Sequence, residues 1–205
     1  MRVENKKKNR LLLVLAGIIG TVFIGLLVFA IWDYIVSGKS VVRLGDYRSL
    51  SYTSTERDSA GSQVVEELVK RSTFGGQVKR NGESLYAESM RVYEDNANYL
   101  GITLSEYLKV YYGAYEEDFR KKVKESANLV AREEAVLDAV ADREKIVLSE
   151  TQFEHLLLVY MESVGYTERQ LFLRDYNEKE LRIRMRRDIT TDYLLTISKG
   201  PALED

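Results

Sequence analysis

The chain has 205 residues, with 30 Lys and Arg against 32 Asp and Glu, a single histidine and no cysteine. The missing thiols exclude disulfides, thiolate metal sites and a cysteine nucleophile. The near-balanced charge, with no basic stripe outside the N-terminus, argues against nucleic acid as a partner.

In chain order, residues 1–10 carry Arg2, Lys6, Lys7, Lys8 and Arg10 against Glu4 alone. The 22 residues Leu11 to Trp32 follow without a charge. At about 1.5 Å per residue that run crosses a hydrocarbon core of about 30 Å. It is longer than the apolar region of a cleaved signal peptide, and no small-residue cleavage site follows. The positive-inside bias places the N-terminus in the cytoplasm. The expected division is a cytoplasmic segment 1–10, a transmembrane anchor 11–36, an extended linker 37–59, a helical domain 60–199 and a tail 200–205. The expected location is a bacterial cell membrane, with the large domain extracytoplasmic.

In the linker, "VVRL" and "LSYT" have strand propensity. From Ala60 the texture is helical. Val64, Val65, Leu68 and Val69 form one stripe, and the glycines of "GGQVKRNGES", residues 75–84, read as a loop. Leu85, Met90, Tyr93 and Ala97 then mark a helix that Gly101 ends. Thr103 and Glu106 have capping-box spacing, and Gly113 closes the helix they start. A long helix is predicted from Tyr115 to Ile146, with Phe119, Val123, Ala127, Val130, Leu137 and Val140 on its apolar face. The single proline, Pro201, leaves nothing to interrupt it.

Ser149 and Gln152 form a second capping box. The helix they open carries Phe153, Leu156, Leu157, Tyr160, Met161 and Val164 on its stripe, with His155 beside it. No second histidine or spaced carboxylate pair accompanies His155, so neither a metal site nor a serine–histidine–aspartate arrangement has its parts. A short helix capped by Thr167 follows. The last helix has Asn177 as N-cap, with Leu181, Met185, Ile189 and Tyr193 stepping by four. Its Arg182, Arg184, Arg186 and Arg187 read as a solvated face.

The stretch "YEEDFRKKVKESANLVAREEAVLDAVADREKIVLSETQFE" resembles the C-terminal domain of trigger factor, the bacterial folding chaperone. "RRDITTDYLLTISK" falls where that family's arm closes, and the resemblance covers roughly residues 60–199. "VVRLGDYRSLSYT" looks like a segment near the start of trigger-factor-like proteins. There is no room between it and the first helix for an FKBP-type isomerase domain, and the family's ribosome-binding domain is expected to be missing as well. The resemblance implies an all-α fold with long arm helices, similar also to SurA-like peptide-binding modules, that cradles unfolded polypeptide without ATP or a cofactor.

Residues suited to that role cluster in 86–115, which holds half of the 14 tyrosines. A tyrosine ring is broad, with a polar tip and little rotamer entropy to lose. The candidate polypeptide-binding set is Tyr86, Met90, Tyr93, Tyr107, Tyr111, Tyr112, Tyr115 and Phe119. Tyr111 and Tyr112 are adjacent on a helix and cannot both face one core. The expected partners are unfolded clients, the bilayer through residues 11–36 and a second copy of the chain, with no nucleic acid and no metal. Two other readings stay open: a scaffold embracing one envelope or secretion partner, and, more weakly, an enzyme working with Asp, Glu and Tyr alone or retaining the family's isomerase activity.

Overall fold

The computed structural model describes Val36 and residues 38–201. The expected basic segment and membrane span lie outside the described residues. Among those described, no helix is long and apolar enough to cross a membrane.

The described chain is helical, with one small ribbon. Strand β1 (Val41–Arg43) pairs antiparallel with β2 (Thr73–Phe74), Val41 opposite Phe74 and Arg43 opposite Thr73. Seven helices follow the order α1 (Arg57–Arg71), α2 (Gly76–Tyr99), α3 (Leu104–Tyr112), α4 (Glu116–Arg143), α5 (Glu150–Ser163), α6 (Arg169–Asp175) and α7 (Glu178–Ile197). A 3-10 turn at Tyr47–Ser49 precedes α1.

Residues 41–52 hold a strand and the 3-10 turn and belong to the folded body. Tyr47 and Leu50 are buried with Val64, Leu68, Val136, Val140 and Leu194. Lys199 N–H donates to Leu50 O, and Tyr52 N–H donates to Lys199 O, both at 3.0 Å. The first and last segments of the domain are thus clasped to each other.

The stretch 75–84, expected as a loop, is instead the first turns of α2. Its glycines serve close approach rather than a turn. A Cβ at Gly82 would lie 2.4 Å from Asn128 Oδ1 and 3.2 Å from Asn128 Cα on α4. Facing it, α4 buries Ala127, Ala131 and Ala135 at four-residue spacing, so the two helices meet through small residues. At 28 residues, α4 is about 42 Å long. It runs back along α2 as a hairpin, with α3 laid across the far end.

The helix ends follow local chemistry. Thr103 with Glu106 and Ser149 with Gln152 form complete capping boxes, and Asn177 accepts from Lys179 N–H and Glu180 N–H. Gly113 closes α3 in the left-handed region, at φ 60°. The Thr167 cap is not formed: α6 begins after Glu168, which makes no side-chain cap.

Four buried clusters divide the molecule. The body core joins the 3-10 turn, α1, the C-terminal half of α4 and Leu194 of α7. Val78, Ala131 and Ala135 seal the root of the hairpin, while Ala97, Tyr107 and Leu108 seal its tip. A separate lobe is built on Phe153, Leu157, Met161, Phe172, Leu181 and Met185. Helix α7 serves both lobe and body. Its stripe therefore shifts phase, running Leu181, Met185, Thr190, Leu194 instead of holding to Ile189 and Tyr193. Thr190 is tolerated in the core because its hydroxyl donates to Arg186 O at 2.8 Å.

Three of the four arginines expected on a solvated face instead fasten α7 to its neighbours. Arg182 makes two bonds to the Glu150 carboxylate at 3.0 and 2.9 Å and its guanidinium lies 3.6 Å from the Phe153 ring centroid. Arg186 reaches Asp142 at 2.7 Å. Arg187 binds Asp138 through two bonds, at 2.9 and 2.7 Å, and also pairs with Glu134.

At the end of α4, Glu144 sits where the helix dipole opposes a carboxylate. It is held there by the Tyr47 hydroxyl, which donates to it, and by Arg48 at 2.8 Å. Bonds from Tyr47, Arg48 and Tyr193 hold its carboxyl down to about 2. A depressed carboxylate contributes stability that is complete above its unfolded value and lost as pH falls through the folded one. Urea unfolding of wild type and Glu144→Gln should therefore differ most near neutral pH, and the gap should close towards pH ~2. A gap constant with pH would show that the tie does not depend on the charge.

Candidate functional site

The tip of the α2–α4 hairpin carries the aromatic cluster. Tyr93 from α2 meets Tyr112 edge-on, with ring centroids 5.6 Å apart, and Phe119 of α4 at 4.8 Å. Tyr112 also lies 5.4 Å from Phe119, and Tyr107 lies 4.8 Å from Tyr111. Tyr107 is buried and Tyr93 and Phe119 are half-buried, so they form a platform. Tyr111 and Tyr112 stand on it 58% and 50% exposed, and Tyr115 beyond them is 76% exposed. A hydrogen bond with Tyr107, then burial, pushes the Tyr112 hydroxyl above its ordinary value. The Tyr112 side chain therefore stays an uncharged phenol throughout the neutral range.

Five of the eight predicted residues thus come together through ring contacts: Tyr93, Tyr107, Tyr111, Tyr112 and Phe119. Met90 is 3% exposed and so is buried in the interior. Tyr86 is half-buried below the tip and hydrogen-bonds Arg120, which also pairs with Glu116 at 2.9 Å and Glu94 at 3.2 Å. The candidate set passes over Tyr99, which is 90% exposed, next in sequence to the exposed Leu100. Its place at the last turn of α2, ahead of the stop at Gly101, is the signal that marks it as an end residue.

A second feature lies between body and lobe. Helices α1, α4, α5 and α7 enclose an open groove of about 500 Å³. Val65, Leu137, Leu156, Val159 and Leu195 supply its apolar surface, and Glu133, Asp188 and the Arg57–Asp192 pair its polar edge. Tyr160 closes one side by donating to Asp188. His155 is exposed, and among the described residues no group of His, Asp or Glu could hold a metal ion.

The described residues thus form a helical hairpin with an aromatic end and a second helical lobe, with an apolar groove between lobe and body. The family model "Bacterial trigger factor protein (TF) C-terminus" matches residues 78–196, more than half of the sequence. The chain belongs to that family. The matched part is the chaperone portion, the one that binds unfolded client polypeptide, and is distinct from the isomerase domain. No curated protein matches the chain.

Proposed function

We propose that this protein is a membrane-tethered, extracytoplasmic holdase that binds unfolded or newly translocated polypeptides without ATP. The anchor is residues 11–36, with the N-terminus in the cytoplasm, and tethering raises the concentration of binding surface near emerging clients. The observation that carries the reading is the tip: Tyr111 and Tyr112 are exposed and rest on the buried ring of Tyr107 and the half-buried rings of Tyr93 and Phe119, while Tyr99 and Tyr115 are exposed at the end of α2 and the start of α4. Contiguous exposed apolar surface on a folded domain marks an interaction site. Tyrosine lets such contact be tolerant of sequence.

The test uses the full-length chain in mild detergent and several unrelated unfolded proteins. Wild type should slow the aggregation of each. The variant Tyr99→Ser/Tyr111→Ser/Tyr115→Ser should need about tenfold more protein for the same effect, equivalent to about 1.4 kcal/mol of client affinity. Its stability should hold, because the rings removed are exposed and the Tyr115→Ser change places a capping hydroxyl at the N-cap of α4. Retention of one defined partner with no protection of the unrelated proteins would favour a dedicated scaffold instead.

A further inference from the structure

The described chain begins already fastened to the root of the hairpin. Gly75 N–H donates to Ser40 O at 3.1 Å, and Gln77 N–H donates to Lys39 O at 3.3 Å. A Cβ at Gly75 would lie 2.3 Å from both Lys39 O and Val36 O, so only glycine lets residues 36–40 come this close. Strand β1 then pairs with β2. The start of the expected linker is therefore part of the folded body. Four residues lead from Trp32, the end of the uncharged run, to Val36. Fully extended, they span about 14 Å at most.

The two segments that meet at this root share one sign. Residues 36–45 hold Lys39 and Arg43, residues 72–82 hold Lys79 and Arg80, and neither stretch contains Asp or Glu, in a chain where acidic residues outnumber basic ones. All four cations are exposed. Lys39 and Arg43 form no ion pair among the described residues. Arg80 bonds the neutral Gln77 side chain at 2.7 Å, and Lys79 reaches Glu83 only at 3.9 Å. Arg132 of α4, also exposed, adds a fifth charge, its guanidinium 5.8 Å from the Phe74 ring centroid. Asp33 is the one acidic residue between Trp32 and Gly45.

We infer that this basic root rests on the anionic phospholipid headgroups of the leaflet from which residues 11–36 emerge. The inference rests on the membrane-tethered reading and adds an orientation to it. The headgroup layer extends about 5–8 Å beyond the hydrocarbon, and charge attraction acts over about 8 Å at physiological salt. So short a tether keeps the root within that reach, where each lysine or arginine adds to the attraction. Helix α2 starts at the root and is 24 residues, or about 36 Å, long. A root held down leaves the aromatic tip at the far end of that length, clear of the bilayer and open to chains in solution.

Because the chain has no cysteine, a single introduced one reports a single place. Full-length protein carries a fluorophore at Thr73→Cys on β2 or at Tyr99→Cys at the tip, both exposed positions. It is assembled in nanodiscs doped with nitroxide-headgroup lipid as quencher, made of phosphatidylcholine alone or of equal parts phosphatidylcholine and phosphatidylglycerol. Quenching at position 73 should be about threefold stronger in the anionic discs, and position 99 should stay unquenched in both. Lys39→Gln/Arg43→Gln/Lys79→Gln should bring position 73 in the anionic discs down to the neutral level. Lys121→Gln/Lys122→Gln/Lys124→Gln, an equal loss of exposed charge nearer the tip on α4, should leave it unchanged. Equal quenching in the two lipids, quenching that survives the root substitutions, or quenching lost with the α4 substitutions would overturn the inference and leave the anchor standing. A chain that fails to insert yet binds phosphatidylglycerol vesicles through the same three root residues would remove the anchor and keep the docking face. One that neither inserts nor binds would overturn both.

Discussion

Truncating Phe153 to alanine is expected to cost about 3–5 kcal/mol, the range for deleting a fully buried aromatic side chain, and to damage one half of the molecule only. Phe153 has no exposed surface and lies at the centre of the lobe formed by α5, α6 and the first half of α7. None of its cluster partners belongs to the core that holds α1, α4 and Leu194. The Arg182 guanidinium stacked on the ring would lose that contact as well. Amide hydrogen exchange should accelerate across residues 150–186 and remain slow across the hairpin and α1. Uniform acceleration would mean that the two cores unfold as a single unit.

Replacing Arg187 by methionine is expected to cost about 1–2 kcal/mol, between the values for an exposed and a fully buried ion pair. The side chain is 20% exposed and meets Asp138 and Glu134 on α4. Methionine keeps much of the aliphatic packing, so most of the loss would come from two carboxylates left facing each other without their cation. The same substitution in an Asp138→Asn/Glu134→Gln background should recover most of the stability, as judged by urea midpoints. Failure to recover would place the energy of Arg187 in packing rather than charge. The Asp188 carboxylate next in sequence belongs to the groove edge, so the clamp also sets where that edge stands.

What the sequence makes legible here is what local chemistry decides. The capping boxes at Thr103 and Ser149 and the Asn177 cap need only neighbours three residues away, and they form as spaced. Gly82 reads as a breaker because its reason lies on another helix, at Asn128. The arginines of α7 read as solvated because the carboxylates they reach on other helices are 32 to 53 residues distant. The stripe of α7 misleads after Met185, since one helix serves two cores and must change face between them. The density of tyrosines between 86 and 115 points to the tip, but which rings support and which are presented depends on how α3 crosses the hairpin. The groove has no sequence signature at all, being assembled from four helices that span the chain from Arg57 to Leu195.

Helix α7 passes without a break from the lobe, where Leu181 and Met185 are buried, into the body, where Thr190 and Leu194 are buried. At 20 residues it is a beam of about 30 Å. The two halves of the molecule are therefore set like the legs of a caliper on one stiff bar, and their separation is a matter of helix pitch. A guest would be accommodated by rotamer adjustment along the jaws, with little swing of the jaws themselves. Lengthening the bar by a few residues would alter both the aperture and the azimuth of one leg, changing which guests fit without touching a single residue that meets them.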